Sequence, residues 1–409
     1  MRGGQFFKKT IEDVPLQGKT VLLRADYNVP LLSNGEIADD LRIRASLPTI
    51  QYLLKEDCKI VIISHLGRPK VRDAKLSLRP VAVHLANLLG ASVRFVDDCI
   101  GDRAKVAIKT APKKSVILLE NLRFYPEEEA NDEQFAKKLS NVSGARYFIQ
   151  DGFGVVHRAH ASTAAITQYI PSVAGLLLER EYVTITHAMK HPKRPLVAVL
   201  GGAKVSDKIG VITALIDIAD TIVIAGAMAN TFFAYKKIPL GKSNFEPGMD
   251  ETVKRIYEKA GAKVGKAKVD DFLVLPTDLA VGKAVEKAEP RRNVLLKDLA
   301  MDDKALDVGD ETIENIVKVV DKAKTVIWNG TLGVAELPQF AHGSARLALA
   351  LATHSEITSI IGGGDTADFV LDWDARGGES FTHVSTGGGA SLELMSGEKL
   401  PGIESLLSK

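Results

Sequence analysis

The chain has 409 residues and a net charge of +2, with 45% apolar and 25% charged residues, the balance of an ordinary soluble globular protein. That charge excludes bulk polyanion binding as a default and confines any basic site to a local cluster. The length implies two domains, and no apolar run reaches the ~18 residues of a membrane span.

In chain order, the opening Met-Arg-Gly-Gly-Gln-Phe-Phe-Lys-Lys has no apolar leader core or cleavage site, so a cytoplasmic protein is expected. Residues 20–24 read as a strand. Residues 40–54 read as a helix, with Ile43, Leu47, Ile50 and Leu54 on one face. A buried strand (59–64), a helix (80–89), strands (92–95 and 115–119), a helix (132–139) and a strand (147–150) follow. Cys58 and Cys99 form neither a CxxC nor a metal quartet and read as buried thiols. A longer helix spans 174–190 and is stopped by Pro192 and Pro195. The rhythm then restarts with a strand (196–200), a helix (204–218), a strand (221–225) and a helix (250–260). Strands at 272–275 and 325–328, a helix at 344–354, and strands at 357–361 and 381–385 complete it. The expected fold is α/β: two doubly wound, Rossmann-like parallel-sheet lobes joined by the 174–190 helix as a hinge. Ligands are then expected beyond the carboxyl ends of the strands.

Polar residues gather at those ends. In the first half Arg24, Asp26 and Asn28 alternate at a strand end, and period two places them on one side. Arg42 and Arg44 open the next helix, while His65-Leu66-Gly67-Arg68, Glu120 to Arg123 and Asp151 to His160 each follow a strand. Convergence of Arg42, His65, Arg68, Arg123 and Arg158 would suit a small, multiply anionic substrate, because guanidinium binds phosphate and carboxylate in a bidentate way. Any one of these arginines is more often a surface ion-pair residue. It is the recurrence at strand ends that points to a site. His157 and His160 have metal-ligand spacing but no third ligand nearby.

In the second half, Gly201-Gly202-Ala203-Lys204 leads on to Lys208, and the two lysines are expected to share a face of the first helical turns, a poor match to the dipole unless polyphosphate binds there. A solvated basic face is the plain alternative. Trp328 to Glu336 is another strand-to-turn stretch, whose Glu336 suits a ribose diol or simply a helix start. Gly362-Gly363-Gly364-Asp365-Thr366 and Ser385-Thr386-Gly387-Gly388-Gly389 each read as strand, glycine turn and helix N-terminus, a setting for phosphate oxygens. Asp365 would repel phosphate unless a cation lies between them.

Three familiar motifs fail. The G-x-G-x-x-A at 362–367 has no acidic residue after the next strand, so a dinucleotide-binding dehydrogenase is not supported. Gly241-Lys242-Ser243 and Gly18-Lys19-Thr20 lack the upstream glycine of a P-loop, since Lys237 and Val14 stand there. A G-x-S-x-G elbow is also missing, which sets hydrolases aside.

With these blocks in this order, the sequence resembles the phosphoglycerate kinase family from end to end. The resemblance rests on 21–30 (Val-Leu-Leu-Arg-Ala-Asp-Tyr-Asn-Val-Pro), 40–45, 65–68, 120–125, 157–160, 201–208, 227–232, 363–366 and 385–389. It implies a cytoplasmic, monomeric glycolytic enzyme that moves a phosphoryl group reversibly between 1,3-bisphosphoglycerate and ADP, giving 3-phosphoglycerate and ATP with Mg2+. Neither nucleic acid nor membrane is implied as a partner. A lobe over 1–180, with 397–409 packed back on it, would bind 3-phosphoglycerate, and a lobe over 181–396 the nucleotide. Transfer would be direct and in line, with the lobes closing about the joining helix to exclude water.

Carried over residue by residue, the resemblance gives Asp26 and Asn28 the substrate's hydroxyl and carboxyl end. Arg42 takes the carboxyl and the moving phosphoryl, and His65, Arg68, Arg123 and Arg158 the 3-phosphate, with Leu66 and Gly67 in the same turn. Lys204 and Lys208 take nucleotide phosphates, Glu336 the ribose, Asp365 the magnesium and Thr366 a phosphate, beside Gly363 and Gly364. Gly387 and Gly388 offer N–H groups to the transferring phosphoryl. The chain departs from the family pattern at Thr331-Leu332, at Ala335 and over 303–307, near the adenine, so nucleotide preference stays open. A catalytically silent nucleotide-binding protein would need a phosphate contact to be missing, and none is.

Overall fold

The computed structural model describes residues 6–409; residues 1–5, on which part of the leader argument falls, lie outside it. The chain divides into two compact units, one reaching Val183 and taking in Lys399–Lys409, the other Thr184–Glu398.

Short runs of Val, Leu and Ile without polar alternation bury both faces, which suits central strands of a parallel sheet covered by helices on each side. In the first unit these runs are β1 (Thr20–Arg24), β2 (Lys59–Ile63), β3 (Val93–Val96), β4 (Val116–Leu119), β5 (Tyr147–Gln150) and β6 (Ser172–Ala174). They form one parallel sheet in the order β3-β4-β2-β1-β5-β6. Leu22 of β1 pairs in register with Val61 on one side and Phe148 on the other. Val21 and Leu23 face the layer holding Ile43, Ile50 and Leu85, while Leu22 faces the layer holding Ile108, Phe135 and Leu139. The C-terminal segment belongs to this unit. Lys8 Nζ donates to the carbonyls of Glu404 (2.6 Å) and Leu406 (2.9 Å), and the Leu407 N–H donates to Ser172 O on β6 (2.9 Å).

The second unit repeats the plan with β7 (Leu196–Leu200), β8 (Thr221–Ile224), β9 (Leu273–Val274), β13 (Thr325–Asn329), β14 (Thr358–Gly362) and β15 (His383–Val384), between which lie β10 (Asp278–Gly282), β11 (Arg292–Leu295) and β12 (Lys304–Val308). The six parallel strands run β15-β14-β13-β7-β8-β9, and β11-β10-β12 make a separate antiparallel sheet. Val199, Val223, Val326 and Trp328 pack against Ile313 and Ile316 of helix Asp310–Val320 and Leu347 and Leu351 of helix His342–Thr353. Both sheets are the parallel α/β sheets expected from the sequence.

Several expected elements move. The 174–190 helix starts at Leu176, because Ala174 closes β6 and the Gly175 N–H is taken by Gln150 O. The 204–218 helix breaks into a 3-10 turn (Ser206–Lys208) and helix Ile209–Ile218, which leaves Lys204 outside it. The strand expected at 272–275 is only Leu273–Val274, since Phe272 ends a helical turn from Val269. The antiparallel sheet and helices Asp102–Thr110, Gly226–Tyr235 and Asp310–Val320 were not expected. β11 is largely exposed and carries no alternation, so it gives no strand signal.

Asp151 caps the start of helix Leu176–Lys190, its Oδ1 accepting the N–H groups of Leu177 (3.0 Å) and Leu178 (3.3 Å). Burial pushes its carboxyl up to about 7, against the pull of Thr49, of these N–H groups and of Arg180. A carboxyl raised in the folded state adds stability that is complete below about pH 4 and is lost as the pH rises through about 7. Urea unfolding at pH 5 and pH 8 is therefore expected to show the wild type losing stability relative to Asp151→Asn, by about 1 kcal/mol or more. Equal losses in the two proteins would show that the carboxyl does not titrate in this range.

Candidate active site

In the first unit the expected residues gather at the carboxyl ends of β1, β2, β4 and β5. β1 ends at Arg24, so strand alternation stops there and a turn takes over: Asp26 Oδ1 accepts the Asn28 N–H at 3.1 Å. Asn28 Oδ1 then accepts the Gly67 N–H at 2.8 Å, and Arg42 Nη1 donates to the Asn28 carbonyl. Arg42 Nε lies 3.9 Å and His65 Nδ1 4.0 Å from the Asp26 carboxylate. Arg123 Nη1 donates to Gly67 O at 2.7 Å. Leu66 is a core side chain whose N–H and C=O are both held by Asn121, at 3.2 and 2.7 Å. Asn121 thus fixes the turn that presents His65 and Gly67.

Arg24 is not alongside Asp26 and Asn28 but beneath them. It is 1% exposed, donates to Ser162 Oγ (2.8 Å) and to Ala25 O, lies 3.2 Å from His65 Nδ1 and sits 4.0 Å from Glu128. Burial is the first force on this cluster. It drives His65 well below the usual imidazole value, and the charges of Arg24, Arg123 and Arg42 push the same way. His160 falls to about 4, by burial and then by Arg24, Arg123 and Arg158. Arg123 is itself lowered by burial, with Arg158 and Arg68 as crowding like charges. Arg158 Nε donates to His157 Nε2 at 3.1 Å, while Arg68 is exposed. The result is a convergent cationic surface with neutral histidines, able to hold an anion of several charges.

In the second unit the glycine turns after β7, β8 and β13 meet backbone to backbone. The N–H of Gly201 donates to Asn329 O (2.9 Å), that of Gly202 to Thr331 O (2.9 Å) and that of Gly226 to Leu332 O (3.2 Å). A Cβ on Gly201 would stand 2.1 Å from Thr331 O, and one on Gly330, at φ +98°, would stand 2.3 Å from the Gly201 backbone. Lys208 is nearly buried, its Nζ donating to Gly201 O (2.6 Å) and Asn329 O (3.0 Å). Burial lowers its ammonium to about 8, partly offset by the Asp365 and Asp207 charges. Lys204 is exposed in the turn before, so the two lysines do not share a helical face. The dipole conflict expected for Lys208 is met by these two carbonyls.

A cavity of about 310 Å3 opens beside these turns. Gly202, Ala203 and Asp365 line one part of it, with Glu336, and Ala305, Leu306 and Leu332 supply an apolar wall. Asp365 is exposed in the first turn of helix Gly364–Trp373, and Thr366 Oγ1 accepts the Gly330 N–H at 2.7 Å. Gly363 precedes Gly364 at φ +91°. The Gly387 N–H already donates to Ser385 Oγ (3.1 Å), and Gly388 follows at φ +51°. Among the described residues no three His, Cys, Asp or Glu side chains come together to hold a metal. One exposed carboxylate beside anion-binding turns fits a magnesium ion that takes its other ligands from phosphates and water.

The carboxyl ends of the strands therefore carry a cationic surface in the first unit and a glycine-walled cavity with an apolar end in the second. Arg24 was expected in one row with Asp26 and Asn28 and is instead buried beneath them, and Asn121 and Asn230 were not singled out. Only their positions inside strand-end blocks hinted at them.

A family model described as phosphoglycerate kinase matches residues 11–398. The phosphoglycerate kinase of Dictyoglomus turgidum is 45% identical over 405 residues, spanning 98% of this chain and all of that protein. That of Pelotomaculum thermopropionicum is 42% identical over 403 residues, with the same coverage. The solved phosphoglycerate kinase structure from Coxiella burnetii aligns with a TM-score of 0.81 at 33% identity, covering 97% of this chain and 98% of that one.

The turn geometry makes one prediction that needs no ligand. Gly330→Ala would put a methyl 2.4 Å from Lys208 Nζ at a positive φ. It is expected to lower stability by roughly 2 kcal/mol or more in denaturant unfolding. An unchanged midpoint would mean that the turns are not closely packed.

Proposed function

The chain belongs to the phosphoglycerate kinase family, and from that premise we propose how its residues divide the work of the family's reaction. It transfers a phosphoryl group between 1,3-bisphosphoglycerate and ADP, yielding 3-phosphoglycerate and ATP. No helix among the described residues is long and apolar enough to cross a membrane.

The unit reaching Val183 holds the phosphoglycerate and the unit Thr184–Glu398 the nucleotide. Supporting this is the clustering of Arg42, Arg123 and Arg158 around neutral histidines in one unit and the glycine-walled cavity in the other. Asp26 and Asn28 orient the hydroxyl and carboxyl end of the substrate. His65, Arg68, Arg123 and Arg158 take its 3-phosphate, with Gly67 shaping the turn and Leu66 anchoring it.

Glu336 accepts from the ribose hydroxyls, and Thr366, Gly363, Gly364 and Lys204 take phosphate oxygens. Magnesium, held by Asp365 together with the nucleotide phosphates, would neutralise charge on those oxygens. The protein acts in the cytoplasm as a monomer.

The attacking carboxylate of 3-phosphoglycerate is already ionised at neutral pH, so no general base is required. Catalysis then consists of alignment and of spreading negative charge over fixed donors. Arg42 faces the carboxyl oxygen and the moving group. Lys208 donates to that group, and Gly388 adds its N–H, with that of Gly387 once Ser385 releases it. The observation that carries this reading is the Lys208 ammonium held on two backbone carbonyls beside the cavity, a geometry that exchange for phosphate oxygens would relieve.

Steady-state kinetics test the roles. Arg42→Ala and Lys208→Ala are each expected to cut kcat by about a hundredfold or more, with a smaller change in KM. Retained kcat would remove the residue from the transferring step. ADP affinity is expected to be full below about pH 8 and to fall above it, because Lys208 must carry its proton to pair with phosphate. Lys208→Arg should flatten that profile between pH 7 and 9. A wild-type affinity that does not fall in this range would show that Lys208 stays charged.

A further inference from the structure

Beneath the cationic surface of the first unit, the buried side chains of Glu128, Ser162, Arg24 and His65 form one hydrogen-bonded chain. The Ser162 hydroxyl donates to Glu128 Oε1 at 2.5 Å, and the Ser162 N–H donates to Glu128 Oε2 at 3.0 Å. With its proton spent on the carboxylate, Ser162 Oγ accepts from Arg24 Nε at 2.8 Å. Arg24 Nη1 donates to Ala25 O, and Nη2 is left facing His65 Nδ1 at 3.2 Å. The orientation of the guanidinium is thus set from three sides.

The direction of the last bond follows from chemistry. A guanidinium donates and never accepts, so His65 Nδ1 must offer a lone pair. The His65 ring is neutral, driven so by burial and then by the surrounding arginines, and its one proton must therefore sit on Nε2. The opposite tautomer would set N–H against N–H across that 3.2 Å. Asp26 Oδ1 would favour a proton on Nδ1, but it stands at 4.0 Å, beyond hydrogen-bond reach. Nε2 has no hydrogen-bond partner among the described residues. It is also not one of the sealed polar atoms left without a partner there, so it keeps accessible surface.

We propose that Arg24 is a positioning residue: oriented by Ser162 and Glu128, it fixes His65 in the tautomer protonated on Nε2, so that the ring meets the substrate's phosphate with a donor. This rests on reading His65 as a ligand of the 3-phosphate. A phosphate dianion only accepts, and the other tautomer would turn a lone pair toward it.

The test is nuclear magnetic resonance of the full chain carrying isotope-labelled histidine, with the His65 ring nitrogens assigned by their loss in His65→Gln. Long-range proton–nitrogen spectra of wild type at neutral pH are expected to show Nδ1 unprotonated and Nε2 protonated. Arg24→Lys keeps a donor and is expected to keep the tautomer. The pair Arg24→Met with Glu128→Gln leaves no buried charge unpaired. It is expected to mix the two tautomers and to raise KM for 3-phosphoglycerate roughly tenfold, with a smaller change in kcat. A protonated Nδ1 in wild type would overturn the inference without any variant. So would an unmixed Nε2-protonated ring in the double variant. If wild type shows the expected tautomer but 3-phosphoglycerate leaves the Nε2 signal unmoved, it is the phosphate reading of His65 that falls, and the action of Arg24 on the ring stands.

Discussion

The second unit is organised by a lack of room. Three strand ends bring their backbones close enough that Gly201, Gly226 and Gly330 hydrogen-bond to or abut one another's main chain, and a single methyl at Gly201 would stand 2.1 Å from Thr331 O. Close packing of polar backbone has a chemical consequence. It aligns the carbonyls of Gly201 and Asn329 so that they hold one ammonium group, that of Lys208. The lysine is therefore desolvated but not stranded. Its charge is kept by dipoles weaker than a phosphate dianion, so arriving phosphate competes well for it.

The first unit solves the opposite problem. Its cations are numerous, and like charges must be held together before any substrate arrives. Arg24 bears the load from below: fully buried, it is balanced by Glu128 and hydrogen-bonded to Ser162 and Ala25. Burial, and then its field with that of Arg123, keeps His65 and His160 neutral. A neutral imidazole still donates one N–H to a phosphate oxygen without adding to the repulsion. Charge and hydrogen-bonding capacity are thus separated between arginines and histidines within one cluster.

The two parallel sheets were legible because their strands are short unbroken apolar runs, and period and punctuation sufficed. That glycines and charged residues gather at the strand ends was legible too, since they recur where those runs stop. What failed depended on tertiary context. Alternation placed Arg24 beside Asp26 and Asn28, but the strand ends at Arg24 and the side chain turns into the protein. Helical spacing paired Lys204 with Lys208, but a 3-10 turn separates an exposed lysine from a buried one. The antiparallel sheet of β10, β11 and β12 was invisible because β11 is exposed and β12 mixes charged and apolar residues without a clear period. Asn230 sat in a recognised block, yet nothing in a sequence says which partner a buried amide will find.

That antiparallel sheet is where the fold adds to the doubly wound plan. A parallel sheet alone offers glycine turns and helix N-termini, which bind phosphate and say little about the rest of a nucleotide. Ala305, Leu306, Asp307 and Val308 of β12 supply the far wall of the cavity. Asp307 fixes that strand by binding Arg291, the Gly343 N–H and the Val308 N–H, at the cost of a carboxyl that burial pushes up to about 6. The loop carrying Asn244 is tied to the same strand through Ser243 and Ala305. Asn244 in turn sets the amide of Asn230. One wall of the cavity thus comes from backbone packing that many sequences with the right glycines would share. The opposite wall depends on one appended strand and on the contacts that tie the Asn244 loop to it.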